Sequence, residues 1–74
     1  MTYKGDSPMS ESNHFRFPKY IVYMGRLMTA IRIAKKMGTI VCIYEDDELK
    51  IRTSFTENQF KFNEYYGNIE RRSV

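Results

Sequence analysis

From Phe15 onward the chain alternates between apolar runs and polar punctuation, and the spacing within each run predicts an element. Lys19-Tyr20-Ile21-Val22-Tyr23-Met24 carries two β-branched residues and two tyrosines between Pro18 and Gly25, which is strand composition. Leu27, Ala30, Ile31, Ala34 and Met37 then recur at helical spacing, with Thr29, Arg32 and Lys36 opposite. This predicts a helix over Arg26–Met37, with Lys35 and Lys36 in its last turn and Gly38 ending it. One longer helix from Pro18 also fits, because Tyr20, Met24, Leu27, Ile31 and Ala34 step by four, three, four and three. Gly25 inside that helix would cost ~1 kcal/mol relative to Ala, and Phe17 is a poor N-cap. Strand followed by helix is therefore the preferred reading.

Thr39-Ile40-Val41-Cys42-Ile43-Tyr44 is apolar on both faces and predicts a central strand. Glu45-Asp46-Asp47-Glu48 reads as a solvated turn. Leu49–Phe55 then alternates, with Leu49, Ile51, Thr53 and Phe55 on one face and Lys50, Arg52 and Ser54 on the other. Strand, short turn and strand predict an antiparallel hairpin. Thr56-Glu57-Asn58-Gln59 has the form of a capping box, with Phe62, Tyr66 and Ile69 along one helical side. Phe60-Lys61-Phe62 nevertheless alternates like a strand, so the pattern leaves strand and short helix open near 59–66. The expected fold class is α+β: a small three- or four-stranded sheet with one helix packed on one face, in the order β-α-β-β plus that last element. Residues 1–13, which contain three Ser and single Gly, Asp, Pro, Glu and Asn residues with little apolar content, read as a disordered arm. Residues 14–70 read as the single globular domain, and 71–74 as a frayed basic tail.

Composition narrows the function more than the fold. The 74 residues contain one Cys and one His. One cysteine cannot form an internal disulfide framework, and a four-ligand zinc site is not supplied, so no metal or cofactor is expected. Cys42 sits among apolar neighbours as a small core residue, and His14 reads as a surface residue. The four glycines are dispersed and form no phosphate-binding loop. The acidic run 45–48 lacks the length and the glycine of a calcium loop. No catalytic residues are expected, and the chain does not read as an enzyme. With no apolar run near ~18 residues and no signal-like opening, the expected setting is cytoplasmic with no membrane partner.

Two features point to partners instead. Six Tyr and five Phe crowd a chain this short, and a domain of this size buries only about 60% of its unfolded surface. Tyr20, Tyr23, Met28, Phe60, Phe62, Tyr65 and Tyr66 are the candidate partner-binding residues, since Tyr and Met favour interfaces. Charge is also uneven. Residues 1–38 hold seven Lys/Arg against two Asp/Glu, a net of +5, whereas 39–74 carry a net of −2. Arg16, Lys19, Arg26, Arg32, Lys35 and Lys36 are the candidates for binding nucleic acid or an acidic partner. The leading expectation is a non-enzymatic protein that modulates or inhibits a larger protein or complex, with a phage-encoded inhibitor of a host enzyme or defence system as its typical setting. RNA or single-stranded DNA binding is the alternative, and a homodimer is the third expectation.

Overall fold

The structure, a computed structural model, describes residues 15–73. The arm expected at 1–13, and His14, lie outside the described residues. Five strands and one helix follow one another: β1 (Tyr20–Tyr23), β2 (Arg26–Lys36), β3 (Thr39–Asp46), β4 (Arg52–Thr56), α1 (Glu57–Tyr65) and β5 (Ile69–Arg72). The strands form one antiparallel sheet in the order β4-β3-β2-β1-β5. Three hairpins lay down the first four strands. The sheet curls, and α1 then carries the chain across to the opposite edge, packing against both edge strands. The α+β class with one helix against a sheet is as expected, but the sheet has five strands rather than three or four.

The largest correction is to the helix expected over Arg26–Met37: Arg26–Lys36 is strand, and Met37 begins the turn that follows it. Its register with β3 slips between Ala30 and Arg32, where Ile31 is an extra residue. Such a bulge changes the phase of inward-facing side chains. Met28 and Ala30 face the core before it, and Ile33, opposite Cys42, takes that face after it. Apolar residues at 28, 30, 31 and 33 no longer show period two, and with Leu27 and Ala34 they imitate helical spacing. The helix is instead at 57–65, resolving the open reading there. Ile69–Arg72 pairs with β1, so Arg71 and Arg72 belong to the sheet rather than to a frayed tail.

Both glycines that the helix reading used as punctuation close two-residue hairpins. Met24 and Gly25 have φ of 52° and 81°, and Met37 and Gly38 have 50° and 79°. Positive φ at both central positions is what the right-handed twist of a tight hairpin demands. Methionine adopts this conformation at a cost, whereas Asn-Gly adopts it readily. Met37 is fully exposed and has no packing to lose. Met37→Asn is therefore expected to stabilise the fold by roughly 0.5–1 kcal/mol, read as a rise in urea midpoint at unchanged slope.

Ile21, Met28, Cys42, Tyr44, Phe55, Phe60 and Ile69 are buried together, with Phe15, Phe17, Tyr23 and Ala30 packed on them. Each aliphatic side chain so buried contributes roughly 1.5–3 kcal/mol. The rings meet edge-on or tilted, as their quadrupoles prefer: Phe17 with Phe60 at 5.7 Å, Tyr23 with Phe55 at 5.0 Å and Phe55 with Phe60 at 6.1 Å. Tyr44 is fully buried, and its hydroxyl donates to the Pro18 carbonyl at 2.6 Å. That bond draws the segment before β1 over the core.

The acidic run is more than a solvated turn. Glu45 and Asp46 end β3, and Asp46 is only 3% exposed. Its carboxylate accepts from the backbone N–H groups of Glu48 (2.6 Å) and Leu49 (2.8 Å) and from the Arg26 guanidinium (3.3 Å). The Leu49 and Glu48 N–H groups, more than Arg26, hold the Asp46 carboxyl below its ordinary value. A lowered folded-state value means that the unfolded chain takes up this proton first as pH falls. The stabilisation from Asp46 is present above the unfolded value of ~3.9 and is lost as pH falls through the lower folded value. We expect wild type to lose stability in that acid window, and Asp46→Asn to flatten that part of the pH–stability curve. Urea titrations at stepped pH check this.

Candidate functional site

Helix α1 begins where the capping box predicts. Thr56 Oγ1 accepts from the Gln59 N–H at 3.1 Å, and Gln59 Oε1 accepts from the Thr56 N–H at 2.9 Å. It ends with the Asn68 N–H on the Asn63 carbonyl (2.8 Å) and the Gly67 N–H on the Glu64 carbonyl (3.1 Å), the paired bonds of a Schellman closure. Between these caps, Glu57 and Lys61 form an i,i+4 ion pair at 2.7 Å. The helix is thus held at both ends by local sequence, and its rotation is fixed by Phe60.

Phe60 points inward and is fully buried. Its ring meets Phe15, Phe17, Tyr44 and Phe55, and the Arg71 guanidinium lies 5.4 Å from its centroid. Arg71 also lies 5.5 Å from the Phe15 centroid and is held by Glu64, at 2.7 Å from Nε to Oε2. The Glu64 hydrogen bond raises the Arg71 value further, so the guanidinium stays charged. Helix and last strand are therefore joined by an ion pair whose cation lies over two aromatic rings.

With Phe60 fixed inward, positions 62, 65 and 66 turn outward. Phe62, Tyr65 and Tyr66 are 60%, 82% and 63% exposed. They are neighbours at i,i+3 and i,i+4 spacing. The Phe62 and Tyr66 centroids lie 4.7 Å apart, and those of Tyr65 and Tyr66 lie 5.0 Å apart. The result is a contiguous aromatic surface on a capped helix, exposed but held in shape by its own ring contacts. Of the other exposed apolar residues, Met24, Met37, Leu49 and Ile51 lie in turns and loops, whereas Leu27, Ile31, Ile33 and Ile40 lie on strands β2 and β3.

The remaining candidates do not join this surface. Met28 and Phe60, expected at a partner surface, are core residues: Met28 faces Ile21 across β1 and β2, and Phe60 is the helix anchor. Tyr23 is half-buried against Phe55, also on the core side. Tyr20 is half-buried on the outer face, with Lys19 Nζ 5.9 Å from its ring centroid. Among the cations, Arg26 is engaged by Asp46. Arg16 and Lys19 precede β1, whereas Arg32, Lys35 and Lys36 lie on the far half of β2. Arg32 and Lys36 share the outer face, and Lys35 is opposite Ile40 on the other. The six cations thus do not form one continuous stripe.

Cys42 is fully buried, and burial pushes its thiol up, against a smaller downward pull from a hydrogen bond with Tyr44. The Tyr44 hydroxyl is pushed far up in turn, first by burial and then by Cys42. Among the described residues no group of three His, Cys, Asp or Glu side chains is placed to hold a metal ion. No described helix is long and apolar enough to cross a membrane. Compared with models of known protein families, with curated proteins and with solved structures, the chain matches none.

Proposed function

We propose that this is a non-enzymatic binding protein that modulates or inhibits a larger protein partner, and that Phe62, Tyr65 and Tyr66 are its docking surface. One observation carries this reading: three of the chain's large aromatics stand outside the core, in mutual contact, on a helix that the core holds rigid. An exposed apolar cluster of this kind marks an interaction site in a small protein. Rigid aromatic side chains on a helix give large contact area with little ordering entropy to lose, which is one reason Tyr is enriched at interface hot spots. The tyrosine hydroxyls keep the free surface hydrated and supply polar contacts at a partner's rim.

Affinity capture from cell extract tests this, using wild type and the Phe62→Ala/Tyr65→Ala/Tyr66→Ala triple variant in parallel, each with and without nuclease. A protein retained by wild type after nuclease and lost by the triple variant is the expected result. Recovery that is equal for both proteins, or that nuclease abolishes, would overturn the proposal.

A further inference from the structure

The pairing of β2 is unequal along its length. Its first half, Arg26–Thr29, pairs with β1, and the last bond on that side runs from the Ala30 N–H to the Lys19 carbonyl at 2.7 Å. The chain before β1 then leaves this edge at Pro18, which has no N–H to donate. Instead, Phe15 and Phe17 pack over Phe60. From Ile31 to Lys36 the strand is paired with β3 on one side only, among the described residues. An unpaired strand edge is a template for another strand.

Two further observations say what would fit there. Arg32, Lys35 and Lys36 form no ion pair among the described residues, whereas Arg26, Arg52, Lys61, Arg71 and Arg72 each do. Beside the edge, on the face of Ile33, opens a cleft of about 850 Å³ lined by Phe15, Phe17, Ile33, Ile40 and the start of α1. Ile33 is 57% exposed and borders this cleft. A residue added opposite Ile33 would share its face and enter the cleft. Residues added beside Arg32 and Lys36 would lie on the outer face among their charges.

We propose that the Ile31–Lys36 edge of β2 is a second docking site, taken by an extended peptide segment of a protein partner in which acidic and apolar residues alternate. Backbone hydrogen bonds would hold the segment in register, the cleft would take one apolar side chain, and the two outer-face cations, Arg32 and Lys36, would select acidic neighbours. A nucleic acid would use the cations but not the strand edge, and half-buried Phe15 and Phe17 are committed to Phe60 rather than free to stack on bases. This site is separate from the α1 aromatics, so its failure and theirs are distinguishable.

Fluorescence anisotropy with the full chain tests it, using a labelled Glu-Val-Glu-Leu-Glu-Val-Glu peptide at low salt, on the order of 50 mM. The controls are the same peptide with Lys for Glu, and one with Pro for the central Leu. The acidic peptide is expected to bind, the Lys and Pro peptides at least about 10-fold more weakly, from lost cross-strand charge pairs and backbone bonding. Ile33→Asp should weaken the acidic peptide similarly. Arg32→Glu/Lys36→Glu should reverse the preference toward the Lys peptide, a gain that an unfolded variant cannot show. The triple α1 variant should bind as wild type does. Equal binding of the acidic, basic and proline peptides, no binding at all, or displacement of the peptide by a single-stranded oligonucleotide at lower concentration would each overturn the proposal.

Discussion

Phe60→Ala is expected to remove about half or more of the folding stability of the chain. The side chain is fully buried and is the point where Phe15, Phe17, Tyr44, Phe55 and Arg71 converge. Removing a core phenylalanine costs roughly 3–5 kcal/mol in lost transfer energy and residual cavity. A domain of this size, at about 0.05–0.15 kcal/mol per residue, holds only ~3–9 kcal/mol in total. The same substitution removes the ring that orients Arg71, so the ion pair joining α1 to β5 loses its support. Phe60→Leu retains most of the volume and should cost less than half as much. Urea denaturation followed by circular dichroism checks both, and a Phe60→Ala protein with a wild-type midpoint would contradict the assignment of Phe60 as the anchor.

The second large effect is on binding and leaves folding alone. Phe62→Ala/Tyr65→Ala/Tyr66→Ala removes three exposed rings; Tyr66 is the C-cap residue, but the helix closes there through backbone groups, and the Thr56 N-cap and the Phe60 anchor are untouched. Stability should change by no more than about 1 kcal/mol, since Ala is a good helix former and little packing is lost. Affinity for the captured partner should fall by at least ~30-fold, the loss that corresponds to about 2 kcal/mol at a hot spot. Calorimetric titration beside a thermal melt separates the two quantities. The contrast with Phe60→Ala is diagnostic, because residues two positions apart on one helix are assigned opposite roles.

Much of the fold is legible in the sequence where side-chain period and local capping agree. The β1 strand, the β3 strand, the hairpin to β4 and the Thr56–Gln59 capping box are all written in contiguous residues. Arg26–Lys36 is not, because one inserted residue at Ile31 shifts the inward face and makes a strand imitate a helix. The readable signal was the repeated Met-Gly dipeptide at 24–25 and 37–38, each flanked by strand-forming residues and each closing a tight hairpin. Strand β5 is hidden for a different reason: Ile69-Glu70-Arg71-Arg72 has a single buried residue and owes its place to pairing with β1. At the site, an aromatic surplus is visible from composition. Which aromatics it leaves outside depends on the rotation of α1, and that follows from a core assembled by residues far apart in the chain.

The most direct test of the α1 docking surface is site-specific photo-crosslinking. A photoreactive phenylalanine analogue replaces Tyr65 in one protein and Ser54, exposed on β4, in another, and each is irradiated with the captured partner. We expect a covalent adduct with the partner from position 65 and none from position 54. An adduct from position 54 alone would contradict the assignment of Phe62, Tyr65 and Tyr66 as the surface that meets the partner.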